Sequence, residues 1–145
     1  MNGAVNVQMS ERMVIMTGIE SLARIRDQVS VANIRQITDC FVSQINPLKV
    51  ILFGSFADGT YTEDSDYDFY IVVNDGRNIS DASYQAHKSI RDIMIRPVDI
   101  VVGTNTRFES KSRARNSLMI EGEVFRNGIL LYDQAGQNGG KEVAI

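Results

Sequence analysis

The chain has no tryptophan, one histidine, two prolines and one cysteine among 145 residues. Cys40 alone closes no internal disulfide, and its place in an apolar helical pattern reads as a buried core thiol rather than a reactive one. No Cys or His spacing suggests a zinc site. No apolar run approaches the ~20 residues of a membrane span. The first residues also lack a basic segment followed by an apolar stretch, so the cytoplasm is the expected location. Positive charge is not in excess: 15 Lys and Arg face 18 Asp and Glu, a net charge of -3. That balance disfavours a protein whose main task is gripping nucleic-acid backbone. His87, the lone histidine, falls mid-helix with no acid close in sequence, and reads as structural or exposed.

What is present is enough apolar material, 43% of residues, for one domain with its own core. The spacing of Met13, Met16, Ile19 and Leu22 predicts a helix over Ser10 to Asp27. A second helix is predicted from Val31 to about Gln44, capped by Ser30 and striped by Ile34, Ile37, Phe41 and Ile45, with Asn46-Pro47 ending it. Lys49 to Phe53 and Asp68 to Val73 are short apolar runs of the kind that form central strands. Asn74-Asp75-Gly76 breaks the chain, and Ser80 or Asp81 caps a helix to about Ile95, stopped by Pro97. Val98 to Val102 reads as a third strand. Thr104 or Asn105 starts a long helix to Glu121, with Leu118 and Ile120 on or near its buried side and Gly122 at its end. Ile129 to Tyr132 is a last strand, and the Gly- and Gln-rich residues from 134 onward read as a flexible tail. This order predicts an α/β (α+β) domain: a mixed β-sheet of about four strands packed against helices. Residues 1–46 form an N-terminal helical extension and 47–133 the core.

Three acids interrupt these strands. Asp66 and Asp68 are two apart and project to one face if both are extended, and Asp99 breaks another apolar run. If the strands of Asp68 and Asp99 are neighbours, the three carboxylates meet. Oxygen ligands without His or Cys suit Mg2+ or Mn2+, and two such ions could clamp both oxygens of a phosphoryl displacement. The plain alternative makes Asp66 a turn residue, leaves Asp68 in water and pairs Asp99 with an arginine such as Arg96. Directly after the first strand, Gly54-Ser55 can open a short helical turn closed by Gly59, which brings backbone N–H groups and a hydroxyl to a phosphate. Arg107, Lys111 and Arg115 share a helical stripe, either a solvated face or a contact for phosphate, an acidic acceptor or a partner protein.

Gly54-Ser55, ten intervening residues, Asp66-x-Asp68 and the later Asp99 resemble the DNA polymerase β nucleotidyltransferase superfamily, in particular its minimal nucleotidyltransferase members. The resemblance covers roughly Val50 to Tyr132. It implies that Gly54 and Ser55 hold the triphosphate of an NTP, foremost ATP. Asp66, Asp68 and Asp99 would then bind two Mg2+ ions, with Mn2+ as a substitute, and Asp99 would help deprotonate the acceptor hydroxyl. The implied reaction transfers a nucleoside monophosphate to a hydroxyl and releases pyrophosphate. Minimal members are often antitoxins paired with a helical HEPN toxin, which makes a hydroxyl on such a partner the first expected acceptor. Two alternatives stay open: a small-molecule enzyme of the aminoglycoside-modifying kind, with a homodimer completing the acceptor pocket, and a non-catalytic partner-binding module. In one respect the chain departs from the family pattern, carrying Asp58 where members commonly have Arg in Gly-Ser-x-Ala-Arg-Gly. An added acid there does not help bind an anion and is expected to lower catalytic efficiency while leaving the metal ligands in place.

Overall fold

A computed structural model of the chain describes residues 16–17, 22–23, 25–113 and 118–136. Helix α1, Gln28–Ile45, buries Ile34, Ile37, Phe41 and Ile45, the stripe that its spacing requires. It starts a turn earlier than expected because Asp27, not Ser30, caps it. Asp27 Oδ1 accepts from the Val29 and Ser30 amides at 3.1 and 3.4 Å, and Oδ2 accepts from Ser30 Oγ at 2.9 Å. Asn46, in the left-handed conformation, closes the helix just before Pro47.

The sheet has five strands in the order β1-β5-β2-β3-β4: β1 is Met16–Thr17, β2 Lys49–Phe53, β3 Tyr67–Val73, β4 Val98–Thr104 and β5 Ile129–Asp133. β2 runs antiparallel to both β3 and β5, β3 and β4 are parallel, and β1 pairs parallel with β5. Helix α3, Ile79–Ile90, makes the crossover between β3 and β4. Between β2 and β3 lies the single-turn helix α2, Ser55–Asp58.

Strand alternation splits the interior in two. Val50, Leu52, Tyr67, Phe69, Ile71 and Val73 pack with α1 and α3, where Phe41 meets Phe69 edge to face at 5.2 Å. On the other side Ile51, Phe53, Tyr70 and Val72 pack with Phe108, Val124 and Phe125 from helices α4, Asn105–Ser112, and α5, Ile120–Asn127. The β2 and β3 strands are buried on both faces, which explains their continuous apolar reading.

Other expectations also change. Asn78, not Ser80 or Asp81, caps α3, its side chain accepting from the Asp81 amide at 2.9 Å. Met16 and Thr17, expected inside a helix, instead extend the sheet, because the edge of β5 offers Ile129 and Leu130 as backbone partners; residues 10–15, 18–21 and 24 of that expected helix lie outside the described residues. α3 stops at Ile90 instead of Ile95 because Asn33 takes the following turn: its Nδ2 donates to Ile93 O at 2.8 Å and its Oδ1 accepts from the Ile95 amide at 3.0 Å. The long final helix is two: Thr104 caps α4, and α5 starts at Ile120 with Gly122 inside it and Gly128 at its end. Leu118, expected near the buried side, is 99% exposed. Finally, Gln134 of the expected flexible tail is tied down by its amide to Leu48 O at 2.9 Å and by its side chain to Asn46 at 3.1 Å. Residues 137–145 and Arg115 lie outside the described residues.

Candidate functional site

β2 ends at Phe53, whose Cα partner on β3 is Asp68, and Asp68 pairs in turn with Asp99 across the parallel β3–β4 ladder. Residues flanking these acids, Tyr67, Phe69, Val98 and Ile100, pack into the α1 and α3 side, so Asp68 and Asp99 project to the opposite face. Asp66 lies one residue before β3 and close enough for its charge to act on Asp68. The topology therefore brings together the three acids that the sequence singled out.

The Asp68 carboxyl is pushed up to about 6, first by burial, then by the negative charges of Asp99 and Asp66, a hydrogen bond with Asp99 and the charge of Glu123. Glu123, on α5, is near enough for its charge to act weakly on Asp68, a neighbour that the sequence reading does not identify. Glu121 falls at the end of the expected long helix and Glu123 just beyond its Gly122 stop, so nothing local in the sequence points Glu123 toward the acids; α5, which carries it, starts at Ile120.

Gly54 links the acids to the turn above them. Its φ of +74° is in the range glycine favours, and a Cβ there would come within 3.0 Å of the Asp68 carboxylate. α2 follows at once, with Ala57 and Asp58 amides donating to Gly54 O and the Gly59 amide donating to Ser55 O. The amides of Ser55 and Phe56 open this turn, where no intrahelical acceptor exists for them. Asp58 is exposed and engaged locally: its Oδ1 accepts from the Thr60 amide at 2.9 Å and the Thr60 hydroxyl at 2.6 Å.

Arg96 does not serve as a partner for Asp99. Its guanidinium is engaged by Asp27 and by three backbone carbonyls at residues 62, 63 and 65. Arg107 of the basic stripe donates to the buried Glu121 at 2.9 Å, Lys111 is exposed, and His87 is exposed with its Nδ1 beside Ser83 O.

Among the described residues no cation forms an ion pair with Asp66, Asp68 or Asp99. Converging carboxylates with no counter-charge and only oxygen donors fit a divalent cation of the magnesium type. No three acidic, histidine or cysteine side chains among the described residues make a ready cage.

A family model described as "Polymerase beta, Nucleotidyltransferase" matches residues 35–137, well over half of the chain. The chain belongs to this family. Nucleotidyltransferases of the family typically use divalent metals, and the family points to transferase activity with an NTP substrate. Among solved structures, the chain is similar to a protein from Sulfolobus solfataricus named as an inferred nucleotidyltransferase, with 21% identity, a TM-score of 0.47, and coverage of 81% of this chain and 87% of that one. No curated protein sequence matches the chain. No helix among the described residues is long and apolar enough to cross a membrane.

Proposed function

We propose that the chain transfers a nucleoside monophosphate from an NTP, with ATP the first donor to test, to a hydroxyl. The acceptor oxygen bonds to the α-phosphorus, the bond to the β-phosphate oxygen breaks, and pyrophosphate leaves. The observation that carries this reading is the register pairing of Asp68 with Asp99 directly beside Gly54.

Asp66, Asp68 and Asp99 are the residues that would hold two Mg2+ ions. Bound there, the metals would neutralise phosphate charge and align the attacking and leaving oxygens. Gly54 lets the backbone approach the triphosphate, and the Ser55 hydroxyl and the free amides at the start of α2 supply donors to it. Asp99 is exposed while Asp68 is half-buried, so the acceptor enters on the Asp99 side, where this carboxylate can take the hydroxyl proton. An opening of that kind admits a hydroxyl carried on a partner protein, and a helical toxin is the partner we put first. A small-molecule acceptor and a non-catalytic module are the competing readings.

The test incubates purified protein with Mg2+ and each labelled NTP, with and without lysate, beside the Asp66→Ala, Asp68→Ala double variant. A labelled protein band that the double variant fails to produce supports transfer to a partner protein. Pyrophosphate release without a labelled band points to a small acceptor, and NTP binding with neither product favours the non-catalytic module.

A further inference from the structure

Resting on that reading of the acids, we propose that Arg96 is a positioning residue. It clamps the loop that delivers Asp66, and so sets the separation of Asp66 from Asp68 and the affinity of the acids for a divalent cation. One nitrogen, Nη1, donates to Thr62 O at 3.1 Å, Glu63 O at 2.8 Å and Ser65 O at 3.1 Å. The last of these carbonyls immediately precedes Asp66. Nη2 faces Asp27 Oδ2 at 3.6 Å, and the guanidinium carbon lies 5.0 Å from the centre of the Phe56 ring.

These partners belong to separate elements. Phe56 adjoins Ser55 in the phosphate-side turn, Asp27 caps α1, and residues 62–65 form the approach to the acids. Arg96 itself directly precedes Pro97, whose carbonyl accepts from the Tyr67 amide at 3.0 Å and so begins the ladder that pairs Asp68 with Asp99. The side chain is 14% exposed, whereas long cationic side chains usually keep their charged heads in water.

The loop closes partly on itself, with the Thr62 amide donating to Ser65 Oγ at 2.8 Å and the Ser65 amide to Thr62 O at 3.2 Å. Those bonds shape the turn but leave its carbonyl dipoles converging on one point. The two N–H groups of Nη1, shared over the three carbonyls and carrying the positive charge of the guanidinium, meet that convergence. Without them the dipoles repel and the turn rotates toward water, carrying Asp66 with it.

The test is Mn2+ titration of the full chain, read by the paramagnetic signal of free ion, for wild type, Arg96→Met, Arg96→Gln, Arg96→Lys and the core variant Ile37→Val. Partners that orient metal ligands typically change affinity by about 10- to 100-fold when removed, and we expect Arg96→Met in that range. Arg96→Lys, which keeps three donors and the charge, should recover most of the loss. Ile37→Val should bind as wild type does. Folded Arg96→Met with wild-type affinity overturns the proposal, as does an equal loss in Ile37→Val. If Arg96→Met does not fold, Arg96→Gln decides in its place. Amide exchange at Ser65 gives a readout without metal: it should accelerate in the neutral variants, and unchanged exchange overturns the clamp. A wild-type chain that binds no Mn2+ would instead sink the metal reading of the acids, while the exchange data still decide whether Arg96 orders the loop.

Discussion

The carboxylate of Asp68 occupies the space that a side chain at position 54 would need. Gly54 is therefore required twice, by its backbone conformation and by the acid beneath it. The Gly-Ser turn and the acid pair are built as one unit.

Gly54→Ala should destabilise the fold by about 1–3 kcal/mol, the usual cost of forcing a side chain into a glycine-only backbone region. It should also displace Asp68 and cost transfer activity about 10²-fold or more, since a shift near 1 Å at reacting groups has that effect. Chemical denaturation and steady-state kinetics on the same preparation check both. Wild-type stability with lost activity would separate the two roles of this glycine.

Asp68→Asn should abolish transfer yet stabilise the metal-free protein at neutral pH. The folded protein binds the Asp68 proton at about 6 against an ordinary 3.8, so ionising it costs stability. The favourable protonated contribution is fully present below about pH 4, is lost as pH rises through about 6, and leaves a constant deficit above that. The shift of about 2 units corresponds to roughly 3 kcal/mol at 1.36 kcal/mol per unit, and partial solvent access reduces the expected gain at pH 7.5 to about 1–2 kcal/mol. Denaturation curves at pH 4 and 7.5 should show the gain only at the higher pH. Saturating Mg2+ should shrink it by stabilising wild type alone.

Tyr70→Phe should cost about 1.5–3 kcal/mol at pH 7, the usual range for a hydrogen bond to a charged group. Tyr70 donates to Glu121 Oε2 at 2.7 Å, Arg107 donates to the same oxygen at 2.9 Å, and the carboxylate is 1% exposed. Burial alone would raise the Glu121 carboxyl, but the hydrogen bonds from Tyr70 and Arg107, a backbone hydrogen bond and the charge of Arg107 together hold the group below its ordinary 4.5. The stability this group provides is present above that ordinary value and lost as pH falls through the lower folded one. The difference between Tyr70→Phe and wild type should accordingly narrow in acid, as urea titrations at pH 7 and 3.5 would show.

Asp58→Arg should lower the KM for NTP several-fold with little loss of stability. Asp58 is exposed and, among the described residues, hydrogen-bonds within its own turn to Thr60, a contact of the kind worth about 1 kcal/mol. The replacement exchanges an anion for a cation beside the triphosphate turn. Steady-state kinetics across NTP concentration would test it, and an unchanged KM would place the triphosphate away from α2.

Much of this molecule was legible in order along the chain. Apolar runs with no polar alternation identified β2 and β3 because strands covered on both faces have no solvent side to encode. The stripe of α1 was readable because its periodicity reflects a single buried face. Asp66 and Asp68 stood out by their two-residue spacing at a strand start, and Asp99 by interrupting the apolar run of β4.

Other features depended on contacts between residues far apart in sequence. Met16 and Thr17 form a strand only because β5 has an open edge, and α3 ends at Ile90 because Asn33, some sixty positions away, holds the backbone at Ile93 and Ile95. Glu123 comes near Asp68 only through the packing of α5, and Arg96 faces loop carbonyls rather than Asp99 because the approach to β3 folds across it. By itself the sequence determined which segments could be strands or helices and which acids were candidates for a shared site, since local periodicity and residue spacing act on neighbouring residues. Tertiary structure decided which of those acids share a face and what holds them there, because register and cross-strand pairing exist only once distant segments meet.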